Sequence, residues 1–365
     1  MIIPLTIIGT LGIAAFAFMQ QASFGKKPQG ARLESIKKSP HYKKGAFRNL
    51  SYTPVMAEDT NFFKVLLRFF IDKGKRVKPS DSIPTVKTDL LNLNRNQDVL
   101  VWFGHSSYFI QIDGKRILVD PVMSGHASPF RFSVKAFKGS DAYTPDNIPE
   151  IDYLFITHDH WDHLDYKTML QLKPKIKKVI CALGVGEHLE YWGFSKDIII
   201  EKDWHEKILL DSGFVAHTVP TRHFSGRGLT RNKSLWTAFV LQTPTMQLFI
   251  GGDGGYDSHF AETAAKFGAF DLVILENGQS NKSWKYIHTS PEEVLQAAKD
   301  LQAKRMLPVH SSKFALALHD WDQPLQRMAE LSKDENLILL TPMIGEIVNL
   351  KDMQQHFSHW WKNIN

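Results

Sequence analysis

The chain has 365 residues, 43% of them apolar, enough for one large domain or two ordinary ones built around a sizeable core. Its formal charge of +6 is unevenly placed: between Gln20 and Leu50, eight Lys and Arg face a single acid, Glu34, and this local +7 leaves the rest of the chain near −1. The body therefore lacks the basic field of a nucleic-acid-binding surface, and the single cysteine, Cys181, excludes an intrachain disulfide and follows an apolar run as a buried small side chain.

The chain opens with an uncharged, mostly apolar run of 18 residues from Ile2 to Met19. That is near the shortest length that spans a bilayer and long for the apolar part of a signal peptide, and no Lys or Arg precedes it. Residues 1–19 thus read as a retained anchor, with a cleaved signal as the alternative. The basic residues that follow favour a cytoplasmic body, or a periplasmic one if the segment is removed, and they suit anionic lipid headgroups at a membrane surface. Residues 20–95 read as a basic arm and linker. They carry one short helix, 61–70, with Lys64 and Arg68 on one face, which packs on the body or lies in the membrane interface.

From residue 96 the pattern changes. Strands are expected at 99–103 and 108–112, where Asp113-Gly114 makes a hairpin turn, and then at 116–120 and 151–156. A helix at 166–172, a strand at 178–182 and a helix at 186–192 follow. Further strands fall at 198–200, 206–210, 214–219, 235–242 and 247–250. A helix at 257–267, a strand at 272–275, a helix at 291–301 opened by Pro291, a strand at 305–309, a helix at 321–333 and a strand at 337–340 complete the body. Strands first and helices between later strands make an α/β (α+β) layered body over 96–352, followed by a C-terminal tail, 353–365.

The segment Thr157–Asp165 holds His158, His160, Asp162 and His163 in the order H-x-H-x-D-H, directly after a buried strand. Imidazoles and carboxylates are the ligands that suit zinc and similar divalent ions, and a strand-end loop can direct two ligands at one metal and two at a neighbour. His223, Asp253 and His310 also follow strands. His158, His160 and His223 could complete one metal and Asp162, His163 and His310 the other, with Asp253 bridging. That leaves room for a shared water, as a catalytic site needs. His288 lies in the loop before the Pro291 helix.

These residues, with Trp102–Ser107, Leu118–Pro121, Gly251–Tyr256, Lys285–Glu293 and Val309–Leu316 in order, resemble the metallo-β-lactamase fold superfamily. Within it they are similar to the branch of N-acyl-phosphatidylethanolamine phospholipase D and its bacterial, RomA-like relatives. The resemblance spans about residues 98–350 and implies a four-layer αββα sandwich. It implies two zinc ions, with iron or manganese as alternatives, at His158, His160, Asp162, His163, His223, Asp253 and His310. It places Trp161 against substrate, His288 near the substrate phosphate and Asp120 behind a ligand. His105 becomes a candidate supporting or pocket residue. The branch forms dimers, which implies a homodimer. The segment Leu275–Gln279 departs from the mammalian phospholipase and borders the site.

The expected function is a binuclear-zinc hydrolase, a phosphodiesterase of phospholipase D type. In it the metals lower the pKa of a shared water so that hydroxide attacks phosphorus. Asp253 and His288 are the catalytic candidates, and the substrate is a membrane phospholipid. The alternative is a lactonase or ester hydrolase for a soluble metabolite such as a sugar phosphate. An apolar groove favours the first and a closed basic pocket the second. Arg222, Arg227, Arg231 and Lys282 keep both phosphate substrates open.

Overall fold

The computed structural model describes residues 2–71, 74 and 76–365, and of residues 2–9, 11, 62, 69 and 70 it describes the backbone alone. The N-terminal segment forms α1 (Ile2–Met19), α2 (Gly30–Lys37), a small hairpin of β1 (Tyr42–Lys43) and β2 (Ala46–Phe47), and α3 (Phe62–Ile71). The side chains that would test the anchor expectation thus lie largely outside the described residues. Among the described residues no helix is long and apolar enough to cross a membrane.

The body holds two sheets of seven strands. The first contains β3 (Val99–Trp102), β4 (Tyr108–Ile112), β5 (Lys115–Val119), β6 (Ile151–Ile156), β7 (Ile176–Ala182) and β8 (Ile199–Lys202). The second contains β9 (Lys207–Leu209), β10 (Val215–Val219), β11 (Ala238–Gln242), β12 (Gln247–Ile250), β13 (Leu272–Glu276), β14 (Arg305–Val309) and β15 (Ile338–Leu339). The last strand, β16 (Ile347–Asn349), crosses back and pairs antiparallel with β3. Each sheet is antiparallel on one side and parallel on the other: β5 to β8, and β12 to β15, run parallel. Parallel neighbours need crossovers. Helices supply most of them: α4 (Tyr166–Leu172), α5 (Gly186–Tyr191), α6 (His259–Phe267), α7 (Pro291–Asp300) and α8 (Gln323–Leu331).

Strand alternation sorts the apolar side chains into three layers of contact. In β4, Tyr108, Ile110 and Ile112 join Phe155 and Phe239 between the sheets, whereas Phe109 faces the other way. That outer face of the first sheet packs Leu154 and Ile156 on Met169, Leu172 and Leu189 of α4 and α5. The outer face of the second packs Phe249, Val273 and Met306 on Phe260, Val294 and Met328 of α6, α7 and α8. The order is helix, sheet, sheet, helix, the four-layer arrangement implied by the resemblance.

The segment expected as an arm lies along this body. Arg32 of α2 donates to Glu201, Glu187 and Glu190 at 2.6, 2.8 and 2.5 Å. The Nε1–H of Trp192 donates to the carbonyl of Ala22 at 2.7 Å, and His41 pairs with Asp203 at 2.9 Å. The planar, five-donor guanidinium is what allows one side chain to serve three carboxylates.

The strand expected at 235–242 begins only at Ala238. The amides of Leu235 and Thr237 instead donate across to Leu183 and Thr157 in the first sheet, at 2.8 and 3.0 Å, so this stretch ties the sheets together.

Phe155 is fully buried between the sheets, edge-on to Phe239 at 5.0 Å. Phe155→Ala is expected to lower the unfolding free energy by about 3–5 kcal/mol, read from urea titration. A loss below about 1 kcal/mol would place this ring outside the core.

Candidate metal centre

All the ligand candidates sit just past the C-terminal ends of strands that run in one direction. His105 follows β3, Asp120 follows β5 and the His158–His163 loop follows β6. His223 follows β10, Asp253 follows β12 and His310 follows β14. Fixed strand ends make such loops precise platforms for chemistry. His105, Asp120 and His310 hold left-handed backbone, with φ of 53°, 39° and 65°, conformations that cost energy for residues with a Cβ and collect at functional sites. The Asp253 loop needs its glycines for close passage. A Cβ on Gly254 would lie 2.0 Å from Thr221 Oγ1, and one on Gly252 would lie 2.9 Å from the Thr237 carbonyl.

The structure brings all seven predicted ligands together in two quartets. In the first, His158, His160, His223 and Asp253 converge; in the second, Asp162, His163 and His310 converge with His105, each with its ligand atoms within 4.8 Å of one another. Asp253 lies between them. Its Oδ2 is 3.1 Å from His163 Nε2, 3.8 Å from His223 Nε2 and 3.9 Å from His158 Nε2, and its Oδ1 is 3.2 Å from His310 Nδ1. His160 Nδ1 is 2.9 Å from His158 Nε2 and 3.2 Å from His223 Nε2.

The residues fit a pair of cations. Burial pushes His158, His223 and His310 well below the ordinary imidazole range, so they are neutral ligands. His223 donates Nδ1–H to the Ile287 carbonyl at 2.9 Å, which leaves Nε2 as a lone pair facing the other rings. Asp253 Oδ1 is buried and accepts no hydrogen bond from the described residues. Imidazole nitrogens crowded around a buried carboxylate are what a divalent ion satisfies.

A second set of residues fixes the ligands. Asp120 accepts from His163 Nδ1–H at 2.8 Å and from the amide and hydroxyl of Thr157 at 2.9 and 2.6 Å, the role the resemblance implies. His105, fully buried, pairs its Nε2 with Asp162 at 2.8 Å. Three contributors had no signal in the sequence pattern. Asp159, within the motif, accepts from Gly226, Ser234 and His188 at 2.6, 2.7 and 3.1 Å and so pins the loop. Arg227, one of the basic residues read as open to a phosphate substrate, is instead buried and donates to the carbonyls of Asp159 and Leu164 at 2.8 and 2.7 Å. Asn49, from the N-terminal segment, brackets His223: it donates to its carbonyl at 2.7 Å and accepts its amide at 3.1 Å.

The resemblance places Trp161 against substrate; here its ring has the Arg227 guanidinium 4.0 Å from its centre and Phe24 edge-on at 5.1 Å, and it is not among the residues lining the cavity over the metal ligands. The cation over the indole face holds it there.

His288 does face that cavity. Its Nδ1 is 2.6 Å from Glu276 Oε2, while Glu276 Oε1 accepts the amides of Thr289 and Gly254 at 2.8 and 3.3 Å. Burial raises the Glu276 carboxyl. His288 is raised as well: burial opposes its charge most strongly, but the adjacent Glu276 together with the nearby Asp253 and Asp162 outweighs it. Glu276 ends an apolar strand, Leu272–Glu276, and a buried acid there was the available sequence signal.

Residues 115–311 match the family described as the β-lactamase superfamily domain. An uncharacterized protein of Mycobacterium tuberculosis is 33% identical over 97% of both chains. The chain belongs to the β-lactamase superfamily as a metal-dependent hydrolase. N-acyl-phosphatidylethanolamine-hydrolyzing phospholipase D 1 of Caenorhabditis elegans is 26% identical, over 80% of this chain and 88% of its own. Among solved structures, the diiron β-hydroxylase CmlA of Streptomyces venezuelae superposes with a TM-score of 0.55 at 18% identity. The match covers 73% of this chain and little more than half, 55%, of the hydroxylase.

Elemental analysis of the purified protein is expected to find about two metal ions per chain, and Asp253→Asn, isosteric but uncharged, is expected to lose at least one of them. Unchanged metal content in the variant would remove Asp253 from the bridging position.

Proposed function

We propose that the protein is a binuclear phosphodiesterase of phospholipase D type, acting on membrane lipids related to N-acyl-phosphatidylethanolamine. The observation that carries this proposal is a cavity of about 420 Å³ that opens directly over both quartets. His160, Asp162, His223, Asp253 and His310 form its floor, and Val65, Leu66, Phe224, Trp284, Ile287 and Leu316 make most of its walls apolar, with Arg231 the one cation and Gln279 a further polar group in the lining. Apolar walls around a few convergent polar groups suit a lipid chain. A sugar phosphate would be better served by a closed, basic pocket. The name of the similar worm enzyme points to the same substrate class.

His158, His160, His223 and Asp253 would hold one metal, and Asp162, His163, His310 and Asp253 the other. Zinc suits this nitrogen and oxygen set, with iron or manganese as alternatives. Bound there, such a pair supplies Lewis acidity and makes water acidic enough to ionise near neutral pH. The protein's own groups do the rest. Water oxygen bonds to phosphorus as the bond from phosphorus to the leaving oxygen breaks. Asp253 takes the proton that the water loses. His288, its Nδ1 tied to Glu276, presents Nε2–H to the phosphoryl or leaving oxygen.

Membrane association belongs to the same proposal. On α3, Leu66 lines the cavity while Phe63, Leu67 and Ile71 are 77%, 57% and 76% exposed. Exposed residues four apart form one apolar stripe, flanked by Lys64 and Arg68, at the cavity mouth. With α1 as an anchor, the body would lie on the cytoplasmic side. A homodimer is the proposed assembly.

The decisive assay compares N-acyl-phosphatidylethanolamine, phosphatidylcholine, bis-p-nitrophenyl phosphate and a lactone with the metal-loaded protein. Turnover of the phosphodiesters is expected, and turnover of the lactone alone contradicts the proposal. His288→Ala is expected to lower kcat by about 10²–10⁴-fold at wild-type metal content. Undiminished kcat would take the histidine out of the reaction.

A further inference from the structure

His288 also lines a second cavity, of about 540 Å³, distinct in its chemistry from the first. Arg68, Lys282 and Lys285 bring three cations to it, with the hydroxyls of Ser280 and Ser290 among its walls. Its one carboxylate, Glu293, is already engaged, since its Oε2 accepts the Ser290 amide at 2.8 Å in the capping box of α7. His319, also in the lining, is engaged through both nitrogens: Nε2 accepts the Gln279 amide at 2.9 Å and Nδ1 donates to the Asp320 carbonyl at 2.8 Å.

None of the three cations pairs with a carboxylate among the described residues; Lys285 lies over the Tyr286 ring at 4.9 Å. Some cations nearby on the body are matched, as Lys299 is to Glu335 and Lys304 to Asp271 at 2.6 and 2.8 Å; what sets these three apart is that they gather around one concavity. Like charges gathered around a concavity repel one another, and an anion placed among them relieves that repulsion. His288, with Nδ1 held by Glu276, stands between this chamber and the apolar cavity.

We propose that this second chamber is a subsite for an anionic head group. The substrate is then an amphiphilic phosphodiester with an apolar arm in the first cavity, the phosphoryl group over the two quartets, and a negatively charged polar arm beyond His288. This rests on the phosphodiesterase chemistry of that proposal and shifts its substrate: N-acyl-phosphatidylethanolamine itself, with an acyl chain on each side of phosphorus, fits less well than a related lipid phosphodiester with one anionic arm.

The test uses full-length, metal-loaded protein and dodecyl phosphodiesters whose second alcohol is choline, glycerol, glycolate or glycerol phosphate. A matching series with methyl in place of dodecyl separates a lipid head group from a free anionic metabolite. The glycolate and glycerol phosphate esters separate a carboxylate preference from a phosphate preference. The anionic dodecyl esters are expected to exceed the glycerol and choline esters in kcat/KM by roughly three- to tenfold, as for two solvent-accessible ion pairs. The preference should fade in raised sodium chloride.

Because both lysines are exposed, Lys282→Ala with Lys285→Ala should fold and bring the ratio of anionic to neutral ester close to one, through KM. Lys282→Glu with Lys285→Glu should invert it. Equal kcat/KM for all head groups, or a ratio untouched by either double variant, overturns the subsite. A preference confined to the methyl series overturns the amphiphilic substrate. Bis-p-nitrophenyl phosphate is the control: its turnover without any head-group preference refutes the subsite alone, and failure on every phosphodiester refutes the phosphodiesterase proposal as well.

Discussion

The site is arranged around one electrostatic problem: imidazole nitrogens and two carboxylates crowded together at the floor of a cavity. His160 Nδ1 has two other ring nitrogens within 3.2 Å, and Asp253 has four imidazoles within 3.9 Å of its oxygens. Protons relieve such crowding only in part, because burial drives the charged form out of His158, His223 and His310. Divalent cations relieve all of it at once. Metal bound to this cluster would turn its binding energy into folding energy for the loops that carry the ligands.

The fold supplies the rigidity that this arrangement requires. Four strand ends from two sheets deliver the ligands and two more deliver His105 and Asp120 behind them, so the direction of each loop is set by a strand. Behind them stands a ring of buried polar groups: Asp120 under His163, His105 under Asp162, Asp159 and Arg227 under the motif loop, and Glu276 under His288. The N-terminal segment takes part in this ring. Asn49 holds His223, and Ser23 accepts from the Arg227 guanidinium that covers Trp161. Arg32, shared among three glutamates, secures the same segment to α5 and β8.

Local patterns made much of this legible in the sequence, and non-local partnerships made the rest illegible. The H-x-H-x-D-H motif after Ile151–Ile156 reads as a metal loop because both the ligand chemistry and the strand are local, and the alternating apolar positions disclose most of the body strands. β16 escaped because three residues carry too little periodicity, and its pairing with β3 is set by a partner almost the whole chain away. The start of the strand at 235–242 was misplaced because Leu235 and Thr237 are apolar or β-branched yet bond across to the other sheet. Trp161 illustrates a further limit: a position in a motif does not fix which way an aromatic ring turns, and here a distant arginine and Phe24 decide it. Glu276 and Asn49 act through partners that no spacing rule connects to them.

On the proposals above, the two chambers that meet at His288 would make the metal centre selective, with mostly apolar walls taking one arm of the substrate and a group of cations the other. All of this presupposes that Asp253 joins two metals. The most direct measurement is an anomalous difference map from crystals of the metal-loaded protein, collected above and below the metal edge. Two peaks about 3.5–4 Å apart, with the Asp253 carboxylate between them, are predicted. A single peak, or peaks that leave Asp253 uncoordinated, would contradict the account.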